Sequence, residues 1–179
     1  MDDLKGAGSS GEDKDNLDNL DIQFKNYKVW VAASTHKGEE IFCAKAHIEL
    51  KKKNKKLITV IIPRHINRVN EIVSEMNKLN LKTAIHNSRV KNLEDIDIYI
   101  VNTFGESKKF YKIATTVFLG KSLAIKGGQN PLEAIHYGAK ILHGPYVDNF
   151  KDVYKLLKSL GASKKIKTIN QLVLNISFK

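Results

Sequence analysis

The chain has 179 residues, of which 42% are hydrophobic, enough for one domain with a sizeable core and too few for two. Its single cysteine, Cys43, excludes an internal disulfide, no secretory signal is recognisable, and no apolar run approaches the roughly 20 residues that span a bilayer. Lys and Arg outnumber Asp and Glu by 30 to 19, which favours anionic ligands without choosing among nucleic acid, lipid headgroups and phosphorylated small molecules.

The N-terminal segment differs in composition from the rest. Residues 1–15 are rich in Gly, Ser and Asp and poor in large apolar residues, so we predict a disordered linker or an expression remnant there, followed by a single domain over 16–179. Residues 1–25 hold seven acids and three bases, and the remaining residues hold 27 bases and 12 acids. The positive charge therefore belongs to the predicted domain.

Beyond a short amphipathic helix expected from about Asn16, short apolar runs alternate with longer helical segments. Strands are predicted at 28–34, 57–62, 81–85, 96–101, 116–119 and 140–143. Helices are predicted at 39–53, 67–79, 107–113, 131–137, 150–160 and 168–176. The alternation is typical of an α/β protein, and we expect a Rossmann-like, doubly wound parallel sheet of about six strands.

Polar motifs follow several predicted strands, where the loops of an open parallel sheet bind ligands. Ser34, Thr35 and His36 follow the first strand and could contact a phosphate or a sugar, or Ser34 or Thr35 could simply cap the next helix. Arg64 and His65 follow the second strand, where Arg64 could grip an anion or both could be ordinary surface residues. Gly105 and Glu106 follow the fourth strand and belong to the same edge.

The most informative stretch follows the fifth strand, where a long loop ends in Gly127 and Gly128 before a helix. The two glycines would let the backbone approach a ligand closely. Asn130 is expected at the N-cap and Pro131 at the first helical position. Glu133 has two interpretations, a carboxylate that caps this helix or an acceptor for two ribose hydroxyls.

A further helix cap and the possibility of a metal site can also be judged from the sequence. Asn149 is expected to cap the helix over 150–160. The six histidines and the cysteine show no pair with the close spacing of zinc ligands, so we predict no metal site.

Taken together, these stretches resemble the bacterial 3-deoxy-D-manno-octulosonic acid (Kdo) transferases. The matching motifs are WVAASTH at 30–36 with GEE at 38–40, PRH at 63–65, FGE at 104–106, GGQNPLE at 127–133, and GP at 144–145 with NF at 149–150. Five motifs in the family's order make a specific match. It runs from about Asn16 to the C-terminus and corresponds only to the C-terminal half of such a glycosyltransferase, which has two Rossmann-like domains facing a cleft, the GT-B arrangement.

The resemblance implies a function for this half. In that family it binds CMP-Kdo, while the N-terminal half binds the lipid A precursor, supplies the general base and carries the membrane-associated surface. We therefore expect donor binding without turnover, no catalytic residue in this chain, no cofactor or metal, and, for the whole enzyme, association with the cytoplasmic side of the inner membrane. A fragment of this kind would be soluble.

The resemblance also implies roles for individual residues. By motif, the residues expected to bind the donor are Ser34, Thr35, His36, Pro63, Arg64, His65, Gly105, Glu106, Gly127, Gly128, Asn130 and Glu133. The cytidine and its phosphate region would meet Pro63, Arg64 and His65, and the ribose hydroxyls would meet Glu133. The resemblance thus favours the ligand interpretation of Glu133, although both roles can hold at once.

The chain departs from the family at four positions. It has Phe104 where the family usually has Met, Gln129 where it has His, Ala134 where it has Pro, and Lys121 where it has Gly. Gln129 keeps a hydrogen-bonding side chain but loses any titratable role.

Two alternatives remain open at this point. The positive charge and the lysine run at 51–56 are also compatible with a nucleic-acid-binding α/β domain, although few aromatic residues accompany the lysines and no recognised RNA motif appears, so we expect no nucleic-acid partner. The loop-to-helix element with two glycines is also shared by GT-B domains that bind a UDP-sugar.

Overall fold

The computed structural model describes residues 19–88 and 92–178. The predicted disorder of residues 1–15 and the start of the predicted lead-in helix lie outside the described residues. The remainder of that lead-in, residues 19–24, is helical, and it buries Leu20 and Phe24 against the sheet.

Seven parallel strands form one sheet in the order β3-β4-β2-β1-β5-β6-β7. Their bounds are β1 Lys28–Thr35, β2 Leu57–Pro63, β3 Thr83–Ile85, β4 Ile98–Ile100, β5 Thr116–Leu119, β6 Lys140–His143 and β7 Ser163–Lys165. All six predicted strands are present, which confirms the predicted Rossmann-like α/β class.

Helices connect the strands. Their bounds are α1 Glu39–Lys51, α2 Val69–Lys78, α3 Ser107–Tyr111, α4 Leu132–His136, α5 Lys151–Ser159 and α6 Ile169–Asn175, with short 3-10 turns at Ile66–Arg68 and Asp148–Phe150. Each of the six predicted helices is observed and is a few residues shorter than predicted, because capping turns occupy the predicted ends.

The seventh strand was not predicted. β7 has the sequence SKK, pairs only with β6 at the edge of the sheet, and buries Ser163 alone. An edge strand with exposed lysines carries no apolar pattern, so its conformation is set by the backbone ladder to β6 and not by its side chains.

Side-chain alternation along the central strand builds two cores. In β1, Val29, Val31 and Ala33 face the layer of α3, α4, α5 and the lead-in helix, whereas Trp30 and Ala32 face α1, α2 and α6. Because β1 and β2 are covered on both faces, they contain almost continuous apolar sequence, as parallel central strands require.

The order of the strands also fixes where a ligand could bind. From β1 the chain crosses to β2 on one side, whereas β5 pairs with β1 on the other side. The loops after β1 and β5 therefore diverge at a topological switch point, the usual position of a ligand crevice in open α/β sheets. Among the described residues, none of the helices is both long and apolar enough to cross a membrane.

Candidate functional site

The structure brings the twelve predicted site residues to one edge of the sheet. They lie at the ends of β1, β2, β4 and β5 or in the segments that follow, and these four strands are neighbours in the order β4-β2-β1-β5. This clustering was predicted because parallel strands have their carboxyl ends at the same edge.

A buried carboxylate organises the switch point. Glu39, the first residue of α1, is fully buried. Its Oε1 accepts hydrogen bonds from the backbone N–H groups of His36 (3.0 Å) and Lys121 (2.8 Å). Its Oε2 accepts those of Ser122 (3.2 Å) and Leu123 (3.0 Å). One side chain thus ties the loop after β1 to the loop after β5, and four otherwise unpaired donors are satisfied.

Glu39 was not among the residues that the sequence predicted at the site. The available signal was its place in the GEE motif at a helix start, which also fits an ordinary acid near a helix N-terminus. Three of the four partners of Glu39 lie 82 to 84 residues further along the chain, so its role in joining the two loops appears only in the tertiary structure.

Gly120 and Gly144 allow the loops after β1, β5 and β6 to pack backbone against backbone. A Cβ at Gly120 would lie 2.3 Å from the carbonyl oxygen of Ser34, and a Cβ at Gly144 would lie 2.1 Å from that of Ser122. Ser122 is itself buried, and its hydroxyl accepts the N–H of Gly144 (2.9 Å). The loops after β1, β5 and β6 therefore form one rigid unit.

The two adjacent glycines adopt backbone conformations that other residues rarely take. Gly127 has φ 127° and Gly128 has φ 81°, and both are buried. A Cβ on Gly128 would lie 2.8 Å from Cα of Val147, and the N–H of Asn149 donates to the carbonyl of Gly127 (3.0 Å). The two glycines, which were predicted to let the backbone approach a ligand, therefore let it pack closely against the chain's own loop after β6.

At the end of β1, polar groups are buried without partners among the described residues. These atoms are the hydroxyl of Thr35 and Nε2 of His36. Burial lowers the pKa of His36, with Lys121 and Arg68 adding to the effect, so its imidazole is neutral at pH 7. Ser34 next to them has φ 54° at a bulge in the strand pairing. Neither Ser34 nor Thr35 caps α1, whose N-cap is Gly38 without a side-chain bond, so the capping alternative was wrong.

The residues after β2 lie beside this group. The ring of His65 meets that of His36 edge to face, with the centroids 5.6 Å apart. Arg64 is exposed, its backbone N–H donates to the carbonyl of Thr35 (3.0 Å), and its guanidinium makes no bond with the described residues. Pro63 pairs with Thr35 in the sheet register. The free guanidinium is available to an anion.

Glu40 in α1 and Arg68, just before α2, form a largely buried ion pair. Glu40 is fully buried, and its Oε1 accepts a hydrogen bond from Arg68 at 2.6 Å. Oε2 of Glu40 and Nη2 of Arg68 have no partner among the described residues. Burial outweighs the Arg68 charge and raises the pKa of Glu40 to about 7.

Glu106 is held within the protein. Its carboxylate accepts from the Thr103 hydroxyl and from Lys109 Nζ (2.9 Å) and lies 3.2 Å from Nε2 of His86. Although burial opposes the effect, these hydrogen bonds lower the pKa of Glu106. Gly105 beside it has φ 74° and open space around it. Glu106 therefore anchors the loop after β4, and Gly105 is the more accessible of the pair.

The start of α4 differs from the predicted cap. Pro131 occupies the N-cap and Leu132 is the first helical residue, one position later than predicted, although the Asn130 side chain still accepts the N–H of Leu132 (3.0 Å). Glu133 is exposed and makes no hydrogen bond with the described residues, so it does not close the helix start. The predicted cap at Asn149 is also wrong, because the N-cap of α5 is Phe150 and Asn149 instead contacts Gly127.

Within residues 19–88 and 92–178, no three His, Cys, Asp or Glu side chains converge as a metal site would need. No protein-family model matches the chain.

Curated relatives and one solved structure do match. The 3-deoxy-D-manno-octulosonic acid transferase of Haemophilus influenzae is 29% identical over 79% of this chain and 33% of that protein. The proteins of the same name from Aquifex aeolicus (30% identical, 82% of this chain, 40% of that protein) and Rickettsia typhi (34%, 89% and 34%) are similar too. The chain thus spans only about a third to two-fifths of the length of these relatives.

The solved structure shares the fold. The C-terminal CMP-Kdo binding domain of WaaA from Acinetobacter baumannii superposes with a TM-score of 0.81 and 26% identity, over 89% of this chain and 84% of that one.

Proposed function

The chain is a relative of the Kdo transferases and corresponds to their C-terminal domain, and from this premise we propose that it binds CMP-Kdo as the donor half of a glycosyltransferase. The observation that carries the proposal is the match over most of both chains to a domain described as binding CMP-Kdo. In the whole enzyme, Kdo would pass from CMP-Kdo to a lipid A precursor during lipopolysaccharide biosynthesis.

The geometry at the switch point supports an anionic ligand. Arg64 offers an unpaired guanidinium beside the two histidines, and Lys121 and Lys126 lie on the loop after β5. A planar guanidinium binds a phosphate through two parallel hydrogen bonds, whereas a neutral His36 could donate or accept one bond to a sugar or a base.

The same geometry excludes one source of phosphate contacts. The backbone N–H groups of Lys121, Ser122 and Leu123 already donate to Glu39. The CMP phosphate would therefore depend on Arg64 and other side chains and not on these three amides. Glu39 acts as a positioning residue, since it fixes the loop without facing solvent.

Glu133 is proposed to accept the hydroxyls of the ribose. Its carboxylate is exposed and has no partner among the described residues, so its acceptor oxygens are available. Asn130 and the glycines at 127 and 128 would shape the floor of the same site by holding the loop against Val147.

Transfer itself is assigned to the whole enzyme. The acceptor hydroxyl must lose a proton to a base, and departing CMP must be stabilised by positive groups such as Arg64. We expect the base in the N-terminal domain, together with the lipid acceptor and the contact with the cytoplasmic side of the inner membrane, so this chain alone should bind donor without turnover. Neither a metal nor a cofactor is needed for this binding.

A calorimetric titration with CMP tests the proposal. Saturable binding is expected, and Arg64→Ala should weaken it about 10- to 100-fold, because a charge-assisted hydrogen bond contributes about 1.5–3 kcal/mol. Glu133→Ala should weaken binding less, since it removes bonds to neutral hydroxyls. Lys56→Ala, an exposed lysine at the opposite edge, is the matched control and should leave the affinity unchanged.

The same assay separates the alternatives. If UDP competes as well as CMP, the domain is a GT-B half for another nucleotide sugar. If an oligonucleotide binds in a salt-sensitive manner and CMP does not bind at all, the protein is a nucleic-acid-binding domain and the proposal fails.

A further inference from the structure

We propose that a pocket between α5 and β7 binds an anionic lipid, with the phosphate among a ring of lysines and the first part of the apolar chain on the pocket floor. The pocket has a volume of about 680 Å³ and lies beside β6 and β7, and its wall includes Val147 of the loop after β6. It adjoins the loop that carries Gly128 but shares no residue with the proposed donor site, and it goes beyond the proposed function.

Five lysines surround this lysine-ringed pocket: Lys151, Lys155, Lys158, Lys164 and Lys165. The first three recur at helical spacings of four and three residues and so lie on one flank of α5, and the last two come from β7. All five are exposed, and none forms an ion pair within the described part of the chain. Like charges gathered in this way repel one another, and a bound anion removes that repulsion.

Acidic residues do not neutralise the ring. Asp152 follows Lys151 and precedes Lys155 by three residues in α5, but within the described part of the chain it forms no ion pair with either lysine. Burial lowers the pKa of His143, which also lines the pocket, so its imidazole adds no charge at neutral pH.

The floor of the pocket is apolar and fixed. Its accessible apolar surface comes from the half-buried Val147 and the aliphatic stems of the lysines. The ring of Tyr154 lies against it but is only 4% exposed and packs 4.5 Å from the His143 ring, centroid to centroid. The Tyr154 hydroxyl donates to the carbonyl of Gln129 (2.8 Å), so it is not free to bind a ligand. A ligand held by the lysines would therefore place a nonpolar group on this floor.

These features favour a lipid over other anions. A free phosphate could bond the lysines and the unpaired hydroxyl of Ser163, but it would leave the apolar floor uncovered. A single-stranded nucleic acid binds through accessible aromatic faces, and the Tyr154 ring is buried. Leu156 and Leu160 are exposed but lie on the opposite flank of α5 from the three lysines, so the pocket itself, and not a flat helix face, is the contact.

The test uses soluble probes in a calorimetric titration. Dioctanoyl phosphatidic acid, below the concentration at which it aggregates, is compared with glycerol 3-phosphate and with dioctanoyl phosphatidylcholine. We expect the phosphatidic acid to bind at least tenfold more tightly than either, because only it offers both the anion and the apolar chain.

Two triple variants carry the comparison. Lys155→Glu with Lys158→Glu and Lys165→Glu should abolish lipid binding. The matched control, Lys53→Glu with Lys55→Glu and Lys56→Glu, changes the net charge equally at the opposite edge of the sheet and should leave binding intact. The arginine version of the pocket variant keeps the charge and should also bind lipid.

Each contrary result overturns the proposal in a distinct way. Equal binding of glycerol 3-phosphate means a free-phosphate site, equal losses in both glutamate variants mean a general charge effect, and displacement of the lipid by an oligonucleotide means a nucleic-acid surface. If the glutamate variant does not fold, the ring resonances of His143 and Tyr154 in the wild-type protein decide, since unchanged shifts with lipid overturn the proposal. Failure here leaves CMP binding untouched, and failure of CMP binding leaves this pocket untouched.

Discussion

Histidine and carboxylate side chains at the two ends of the sheet differ in how completely the protein satisfies their hydrogen bonds. At the amino end, His47 is fully buried, with Nδ1 2.8 Å from the Thr59 hydroxyl and Nε2 3.3 Å from Asp97. At the carboxyl end, His36 is partly buried, and its Nε2 has no partner within the described residues. Both histidines sit near carboxylates, yet only the one at the amino end is satisfied by the protein itself.

The carboxylates repeat this contrast. Although burial alone would raise the pKa of Asp97, hydrogen bonds from His47 and from the Lys82 N–H (3.0 Å) hold it below its usual range. At the carboxyl end, Glu40 accepts a side-chain hydrogen bond from Arg68 at Oε1, its Oε2 has no partner among the described residues, and burial raises its pKa to about 7.

The difference separates folding from binding. A polar group that a protein buries for stability is paired with other protein groups, because an unpaired one costs about 1–3 kcal/mol. Unpaired groups that cluster at one end of a sheet, at its switch point, mark the place where another molecule can complete the bonding. Glu39 and Glu106 are exceptions within the open end, since the protein itself bonds both carboxylates, and Glu39 supports neighbours that are not bonded.

The largest effect is expected at Glu39. Glu39→Gln keeps the shape but replaces one acceptor oxygen by a donor facing backbone N–H groups, and it should lower the free energy of unfolding by about 3 kcal/mol. Chemical denaturation measures this, and amide exchange at Lys121 and Ser122 should speed up. Glu49→Gln in the same helix removes an exposed pair with Lys52 and is the control. Equal losses of unfolding free energy in both variants would contradict the proposed role of Glu39 in holding the two loops together.

The next effect compares the two histidines. His47→Ala should cost about 2–3 kcal/mol of unfolding free energy, because it leaves Thr59 and Asp97 unsatisfied in the interior, and it should not change the affinity for CMP. His36→Ala should cost less than about 1 kcal/mol and should weaken CMP binding. Chemical denaturation gives the unfolding free energy of each variant, and calorimetry gives its affinity for CMP. The prediction is contradicted if His47→Ala weakens CMP binding and His36→Ala causes the larger loss of unfolding free energy.

The third prediction concerns pH. Between the ordinary glutamate value of 4.5 and about 7, folded Glu40 holds a proton that the unfolded chain releases, so stability falls as the pH rises through this window. The loss is at most about 3 kcal/mol. The glutamine of Glu40→Gln does not titrate, so the difference in unfolding free energy between wild type and variant should change across the window. The lowered pKa of His36 gives a pH dependence of the opposite sign, but both proteins share it, so it cancels in that difference.

Asp97→Asn provides the control for this pH experiment. The pKa of Asp97 is lowered, so its contribution to stability is fully present at neutral pH and is lost only as the pH falls through its folded value. Denaturation curves at pH 4.5 to 7.5 should therefore show no change in the contribution of Asp97 between pH 6 and 7.5. A flat Glu40→Gln difference over the whole range would contradict the raised pKa of Glu40.

The smallest effect is expected at Lys121. The residue has φ 56°, a conformation that costs a non-glycine residue about 1 kcal/mol, so Lys121→Gly should raise the unfolding free energy by about 0.5 kcal/mol. The melting temperature measures the change. Lys126→Gly in the same loop, at a position without positive φ, should instead destabilise the protein.

The elements of the fold were predictable because both packing periods are visible in the sequence. The strands β1 and β2 are almost wholly apolar since helices cover both their faces, and α2 and α5 alternate apolar and polar residues at the helical period. β7 was missed because an exposed edge strand needs no apolar residue. The helix caps were misplaced by one residue or more because turns at Pro131 and at Asp148–Phe150 set the helix starts.

The edge of the sheet at which the predicted site residues lie was predictable for a similar reason. In a parallel sheet, every strand end is followed by a loop at the same edge, so Ser34, Arg64 and Gly127 had to lie there once the strands were known. The role of each residue was less predictable. Glu106 turned out to bind Lys109 and the loop around it, and the close approach at Gly128 is to Val147.

The sequence by itself determined the α/β class, the family and the edge of the sheet at which a ligand would bind, because these depend on local periodicity and on motifs read along the chain. Only the tertiary structure decided which polar groups remain free. Glu39 meets partners more than 80 residues away, and the five lysines of the lysine-ringed pocket come from two elements that no local pattern joins. Whether a charge is satisfied depends on what the fold brings to it, and that is a property of contacts between distant segments.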